Sequence, residues 1–207
     1  MQHLDYSEQD CWIGETNWQS PIDIVANDAK KIDWQKQPLI VDFTSHDLTI
    51  GDDREIGEQF LAQGQLTLGE QVYRMERLHF HDGSEHFIDG KQADLEIHFV
   101  FHNEQGATLV LAVLGTIDDA SKIEGITTIF NQGIQTVHLQ QWLPQPLSYY
   151  QYTGSLTTPP LGKDITWLVL ANAIQVTQAD WQAIHDNYPY NHRHIQPLNG
   201  RTVLYYQ

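Results

Sequence analysis

The sequence predicts a mainly β (α+β) protein: a single domain, residues 1–207, built around a central twisted, mixed and largely antiparallel sheet with a few short peripheral helices. Three observations support this prediction. A chain of 207 residues suits one domain with a substantial core. Short apolar runs separated by polar breaks recur along most of it, as in sheets of short strands. Helical periodicity is confined to two short segments in the second half.

The first thirty residues lack clear periodicity but carry Tyr6, Trp12 and Trp18, so we expect them to pack on the domain rather than form a disordered tail. Residues 19–24 begin with turn residues and end in alternation. Because Pro21 cannot donate to a β-ladder, this stretch is predicted to be an edge segment. The strands predicted next are residues 39–43, 48–50, 65–68 and 72–78, with a hairpin at 68–72.

Two further predicted strands carry histidines at alternate positions: His79 and His81 on the first, and His98 on the second, residues 95–102. Side chains at i and i+2 of a strand leave the same face, so His79 and His81 are neighbours and Glu96 shares a face with His98. Two Asp-Gly dipeptides between the strands predict a chain reversal. Antiparallel pairing would then bring three imidazoles together.

The remaining segments complete the sheet and its helices. Residues 109–114 are continuously apolar, which predicts a central strand buried on both faces. Residues 118–133 have helical spacing, and Gly133 is in the position of a stop. The other predicted elements are a rigid loop at 154–160, a strand at 165–171, a helix from a Thr177 capping box to about His185, and a strand at 202–206.

Three neutral imidazoles suit zinc, with ligand distances of about 2.0–2.1 Å, and they leave the fourth tetrahedral position open as in a catalytic site. Closure by thiolates is not available, because Cys11 is the single cysteine. From the residues alone, Glu85 could still be a fourth ligand.

The charge balance works against two classes of partner. The formal net charge of -16 disfavours nucleic acid or an anionic membrane. No apolar stretch approaches the length of a membrane span, and the polar start lacks a signal-peptide pattern. We therefore expect a cytoplasmic protein, if Met1 is the native start.

Several segments together carry a family resemblance. They are His79-Phe80-His81, Gly83-Ser84-Glu85-His86, Glu96-Ile97-His98, Gln19-Ser20-Pro21, Gly154-Ser155-Leu156-Thr157-Thr158-Pro159-Pro160 and Gln196-Pro197-Leu198-Asn199-Gly200-Arg201. In this order the chain resembles an alpha-class carbonic anhydrase. The resemblance implies a zinc lyase with one Zn²⁺ per chain, which interconverts carbon dioxide and bicarbonate by attack of zinc hydroxide.

The resemblance also assigns the site. It implies that the metal ligands are His79, His81 and His98. Glu96 would accept the ring N–H of His98, which agrees with their shared strand face. Glu85 and Thr157 would orient the hydroxide, since an ionised Glu85 can only accept and so takes the Thr157 proton.

The substrate pocket implied by the resemblance is apolar, because carbon dioxide offers no charge to hold. Its implied residues are Val100, Val113, Leu156 and Trp167, with Thr158 at the bicarbonate edge. Tyr6, Asn191 and Arg193 match structural residues around the site, and His86 is expected to be a buried hydrogen-bonding histidine.

The chain also departs from the family. Arg54 stands where a proton-shuttling histidine is common, and a guanidinium cannot relay protons at neutral pH. Arg77 replaces a glutamine that accepts from the first ligand, so the partner of His79 is open. Asp82 stands where tryptophan is common, and Leu161 where secreted members often have a disulfide cysteine. Buffer or another group would replace the shuttle, such as His3, His46 or Glu55.

The expected small-molecule partners are carbon dioxide, bicarbonate and water, with aromatic sulfonamides and small anions as inhibitors; a homodimer is possible. Two other classes stay open. A cupin-type protein would use Glu85 with the histidines to bind iron or manganese. A catalytically silent binding module on the same fold would have lost metal ligands.

Overall fold

The computed structural model describes residues 4–54 and 57–207. His3 and Glu55, two of the suggested proton carriers, lie outside the described residues. The described α-helices are α1 (Ile126–Gln132) and α2 (Gln178–Asn187), and short 3-10 helices span Tyr6–Cys11, Trp34–Lys36 and Thr136–Trp142. The strands are β1 (Asp23–Ile24), β2 (Lys30–Ile32), β3 (Leu39–Asp42), β4 (Ile50–Arg54), β5 (Gly57–Leu61), β6 (Gln65–Leu68), β7 (Gln71–His81), β8 (Phe87–Ile88), β9 (Lys91–Gln92), β10 (Leu95–His102), β11 (Thr108–Ile117), β12 (Tyr149–Gly154), β13 (Ile165–Leu170), β14 (Ile174–Val176) and β15 (Leu204–Tyr206).

One large sheet dominates the described residues. Its main path runs β2-β15-β12-β13-β11-β10-β7-β5-β4, with β14 beside β11 and the β3–β6 pair joined to β7. Most neighbouring strands are antiparallel, whereas β11–β13, β11–β14 and β15–β2 are parallel. A smaller sheet, β1-β8-β9, holds the segment predicted to lie at an edge. The predicted mixed, largely antiparallel sheet with few helices is therefore confirmed.

The centre of this sheet separates a large core from the histidines. β10 pairs antiparallel with β7 on one side and β11 on the other. Phe80, Ile97 and Phe99 are fully buried in the large core on one face. Burial of each such side chain contributes about 1.5–3 kcal/mol relative to exposure. Because side chains alternate along a strand, the intervening histidines lie on the other face.

That other face has its own smaller apolar cluster, which includes Ile22, Val100, Val110, Ala112 and Trp167. β11 contributes to both clusters: its even-numbered residues Val110 and Ala112 join the smaller one, while its odd-numbered residues join the large core. The strand is buried on both faces at the centre of the sheet, as its continuous apolar run predicts. The histidines thus lie beside a second apolar surface.

The helix predicted over residues 118–133 is wrong in its first half. α1 begins at Ile126, after Gly125 with φ 99°, a left-handed conformation that glycine adopts without strain. Before it, the backbone N–H of Asp118 donates to Val176 O at 2.7 Å. Ile123 packs against the core without being helical, which explains the helix-like spacing. Gly133 does end α1, as predicted.

The second predicted helix is confirmed. Thr177 caps α2, its hydroxyl accepts from the backbone N–H of Asp180, and the Asp180 carboxylate accepts from the backbone N–H of Thr177. In the described part of the chain, neither α-helix is long and apolar enough to cross a membrane.

Candidate metal centre

Three ring nitrogens meet on the smaller-cluster face of the sheet. His98 lies directly opposite His79 in the β10–β7 register. Nδ1 of His98 lies 3.2 Å from Nε2 of His79 and 3.1 Å from Nε2 of His81. These groups lie within 4.8 Å of one another, as ligands of one metal ion must. The antiparallel pairing brings together the three histidines that the sequence singles out.

The outer nitrogens of two rings determine which inner nitrogens carry protons. His81 Nδ1 lies 2.6 Å from the carbonyl oxygen of Asn191, which can only accept, so Nδ1 carries the hydrogen. His98 Nε2 lies 2.8 Å from Glu96 Oε1 and likewise donates. In the neutral rings, His81 Nε2 and His98 Nδ1 therefore present lone pairs to each other. Two lone pairs at 3.1 Å repel unless a cation lies between them, so these residues fit a metal ion.

The Glu96 carboxylate is fully buried and accepts four hydrogen bonds. Oε1 accepts from the rings of His98 and His86, and Oε2 from the backbone N–H groups of Glu85 and His86. Burial opposes its ionisation, but the neighbouring His86 and His98 lower the pKa of Glu96 well below its usual value. His86, Glu96 and His98 could also be grouped as metal ligands. Their facing atoms already donate to or accept from one another, so the three-histidine group is the better candidate.

The outer nitrogen of His79 has no such partner. Its Nδ1 is buried and has no hydrogen-bond partner among the described residues. Arg77, two residues earlier, donates through Nε to Gln59 Oε1 at 3.0 Å and pairs with Glu76. Burial lowers the pKa of His79 well below its usual value, and the charges of His98, His81 and Arg77 lower it further. The acceptor that the sequence leaves open is thus missing in the structure.

One carboxylate oxygen of Glu85 lies near the ring nitrogens of His81 and His98 that face each other. Its side chain is fully buried, and Oε1 accepts from the backbone N–H of Arg193 at 2.7 Å. Oε2 lies 3.6 Å from His81 Nε2 and 4.0 Å from His98 Nδ1, and it has no hydrogen-bond partner in the part of the chain that the structure describes. The hydrogen bond expected from Thr157 to Glu85 is therefore not formed at Oε2. Thr157 nevertheless lines the pocket above the histidines.

A pocket opens over the three histidines, and polar and apolar residues both contribute to its wall. Val100, Leu156, Thr158 and Trp167 line it, as do Thr157 and residues that sequence reasoning missed: Gln59, Val110 and Tyr188. The assignment of Val113 to this pocket is wrong. Val113 pairs with Ile97 and is buried in the large core on the opposite face, because it is one residue out of phase with the histidine face. Val110 lines the pocket from the same strand.

Tyr6, Asn191 and Arg193 all contact the site region. Asn191 supplies the carbonyl for His81, and Tyr6 lines the pocket. Burial raises the pKa of Tyr6 well above its usual value, and the charges of Glu85 and Asp82 raise it further. Arg193 Nη1 donates to Gln19 Oε1 and Ser20 O, at 2.9 and 2.7 Å, which connects the Gln-Ser-Pro segment to the site.

Arg54 does not lie where a proton-transfer group is expected. Its Nε donates to Asp52 Oδ2 at 2.7 Å, and its Nη1 lies 3.7 Å from Glu76 Oε1. Among the described residues, Gln59 of β5 and Arg77 of β7 line the pocket. Asp52 and Arg54 are two residues apart on β4, so their side chains leave the same face of the strand and pair there, and Arg54 is not among the residues that line the pocket.

Comparison with known proteins identifies relatives along nearly the whole chain. The family model described as eukaryotic-type carbonic anhydrase matches residues 6–207. A carbonic anhydrase of Nostoc sp. is 31% identical, with 94% of this chain and 77% of the relative covered. One from Pectobacterium carotovorum is 34% identical, with 90% and 79% covered.

Solved structures agree with these sequence matches. A Chlamydomonas reinhardtii carbonic anhydrase in complex with acetazolamide has a TM-score of 0.84 and 25% identity, and covers 99% of this chain and 98% of its own. An alpha-carbonic anhydrase from Thermovibrio ammonificans in complex with sulfanilamide has a TM-score of 0.78 and 26% identity, with 91% and 87% covered. The cupin alternative is therefore wrong.

Proposed function

The chain belongs to the eukaryotic-type carbonic anhydrase family, a family of lyases for the reversible hydration of carbon dioxide, and we propose that it performs this reaction with one zinc ion held by His79, His81 and His98. The observation that carries the proposal is the convergence of the three ring nitrogens, two of them with lone pairs that need a cation. Zinc bound there supplies the Lewis acidity that makes water a nucleophile at neutral pH.

Glu85 and Thr157 orient the nucleophile in this proposal. One oxygen of Glu85 accepts from the backbone N–H of Arg193. Among the described residues the other oxygen has no hydrogen-bond partner, and it is buried close to two proposed ligand nitrogens. A buried carboxylate oxygen without a donor is costly, and the nearby pocket wall offers the Thr157 hydroxyl. When Thr157 donates to Glu85, its own oxygen can only accept from the nucleophile, which fixes the direction of attack.

The substrate side of the proposed site is apolar. Val100, Val110, Leu156 and Trp167 would surround carbon dioxide without competing hydrogen bonds, and Thr158 would contact bicarbonate. We also propose that aromatic sulfonamides and small anions inhibit the enzyme, as the two sulfonamide-type complexes among its structural neighbours suggest. Cytoplasmic location and a homodimer stay predictions.

Proton release is proposed to depend on solution buffer. Of the described residues that line the pocket, the three proposed ligands are the imidazoles, and Tyr6 holds its proton at neutral pH. We therefore expect the turnover number to rise several-fold with buffer concentration before it saturates. Arg54→His should leave this dependence in place, because position 54 is outside the described pocket lining. Stopped-flow rates at fixed pH and ionic strength measure both; a buffer-independent wild-type rate would contradict the proposal.

The proposed function is tested by stopped-flow hydration of carbon dioxide on protein of known metal content. Purified protein should contain about one zinc per chain, lose activity when a chelator removes zinc, and regain it when zinc is restored. An aromatic sulfonamide should block the restored activity. Activity that survives both chelation and the sulfonamide would refute the zinc assignment.

A further inference from the structure

A buried carboxylate next to His81 is not used by the proposed chemistry. The Asp82 side chain is 3% exposed and points away from the pocket, toward α2 and the segment after it. Its Oδ2 accepts from the backbone N–H of Tyr190 at 2.7 Å and from His185 Nδ1 at 2.8 Å. Its Oδ1 lies 3.2 Å from His192 Nδ1. The carboxylate therefore contacts both ends of the turn formed by residues 190–192.

This turn is strained at its first residue. Tyr190 has φ 57°, a left-handed conformation that costs energy for any residue with a β-carbon. Its side chain is 73% exposed, so tertiary packing does little to hold the backbone. The backbone N–H of Tyr190 donates to buried Asp82 at 2.7 Å, which restrains this residue in that conformation.

The next residue in the turn contacts the metal centre. The carbonyl oxygen of Asn191 accepts from His81 Nδ1 at 2.6 Å. The Asn191 side chain also forms hydrogen bonds at the end of β7: Oδ1 accepts from the backbone N–H of Asp82, and Nδ2 donates to Phe80 O. The position of this one turn therefore determines the orientation and tautomer of the His81 ring.

We propose that Asp82 is a positioning residue for the metal centre. By holding the 190–192 turn, it places the Asn191 carbonyl on His81 Nδ1 and so directs His81 Nε2 at the metal. Outer partners of metal-ligating histidines fix the tautomer and orientation of the ring, and loss of one typically costs about 10–100-fold in metal affinity. The inference rests on the proposed function, because it requires His81 to be a zinc ligand.

Asp82 could instead only fasten α2 to the sheet, since its Oδ2 also accepts from Nδ1 of His185 in α2 at 2.8 Å. Its backbone carbonyl accepts from the indole N–H of Trp181 at 3.0 Å as well, but a side-chain substitution leaves that contact in place. Asp94 offers a control for the loss of an aspartate side-chain hydrogen bond near the same indole. It shares the Trp181 indole through its own carbonyl at 3.1 Å, and its Oδ2 accepts from the backbone N–H of Ile117 at 2.8 Å. No hydrogen bond or ion pair of the described residues joins Asp94 to the 190–192 turn.

The experiment compares Asp82→Asn and Asp82→Ala with Asp94→Asn and Asp94→Ala. Zinc release from the loaded protein into excess chelator should be about 10-fold faster in Asp82→Asn, which keeps one acceptor oxygen, and up to about 100-fold faster in Asp82→Ala. The visible spectrum of Co²⁺-substituted protein should shift in both. The Asp94 variants should melt at lower temperature but release zinc within about twofold of wild type and keep its spectrum.

The outcomes separate the two roles. If Asp82→Asn releases zinc at the wild-type rate with an unchanged Co²⁺ spectrum, the positioning role is wrong, whatever its melting temperature; this variant decides the matter even if Asp82→Ala fails to fold. Release that tracks melting temperature equally in both pairs also overturns it. If wild-type protein holds no zinc, or His98→Ala holds it equally well, then the proposed function itself has failed.

Discussion

Substituting alanine for His98 is expected to remove stoichiometric zinc and reduce carbon dioxide hydration to near the uncatalysed rate. His98 Nδ1 is the central one of the three ring nitrogens, within 3.2 Å of both others. Its loss leaves two ligands, and it also leaves Glu96 without one of its ring donors. Loss of an outer partner costs about 10–100-fold in metal affinity, so loss of a direct ligand should cost more than about 100-fold. Metal analysis after dialysis and stopped-flow rates measure the two effects.

A histidine elsewhere in the chain supplies the control. His138 is half-buried on the 3-10 helix Thr136–Trp142 and does not line the pocket. His138→Ala should keep about one zinc per chain and the wild-type rate, because it makes the same histidine-to-alanine change outside the pocket that holds the three histidines. If both variants retain zinc and activity, the three histidines are not the metal ligands.

Much of the sheet could be predicted because its signals are local. The alternation of apolar residues in 95–102 corresponds to β10, and the Thr177–Asp180 capping box corresponds to the start of α2. The helix prediction for the segment before α1 failed for a physical reason. Ile123 and Ile126 both pack on the core, and their spacing alone does not distinguish a helix from an irregular segment. The left-handed φ of Gly125 sets the start of α1, and a single glycine in a sequence is only a weak signal of such a conformation.

The features of the site also differ in whether local sequence predicts them. The His-x-His spacing and the shared face of Glu96 and His98 are local strand properties, so they follow from the sequence. The assignment of Val113 to the pocket came from the family resemblance. The buried run around it has no alternation, so nothing in the residues indicates which side chains face the histidines. The link from Asp82 through the turn to His81 joins residues 108 or more apart, such as Asp82 and Tyr190, and no sequence pattern predicts it.

The missing partner of His79 is the exception, because a departure from family resemblance predicted it. Arg77 cannot accept a hydrogen bond, and no described residue provides an acceptor for His79 Nδ1. A guanidinium also stabilises negative charge in the pocket that it lines. Arg77 therefore leaves one proposed ligand, His79, without an outer acceptor and adds positive charge beside the site.

Thr157→Ala and Glu85→Gln are each expected to lower kcat/KM about 100- to 1000-fold, the usual cost of one oriented hydrogen bond to the reacting group. The physical reason is that Glu85 Oε2 has no hydrogen-bond partner among the described residues, and the proposed role of Thr157 requires Glu85 to take its hydroxyl proton. Both proteins should retain zinc, because neither residue is a proposed ligand. Zinc retention with lost rate distinguishes this defect from that of His98→Ala.

The double variant tests whether the two residues act as a unit. If Thr157 works only through Glu85, then Thr157→Ala combined with Glu85→Gln should be about as slow as either alone, whereas independent roles would multiply the losses. Thr153→Ala, at an exposed threonine of β12, controls for loss of a threonine near the same loop and should keep the wild-type rate. Multiplicative losses would mean that Glu85 acts on the site directly, through its unpaired oxygen beside His81, and that Thr157 is not the group it orients.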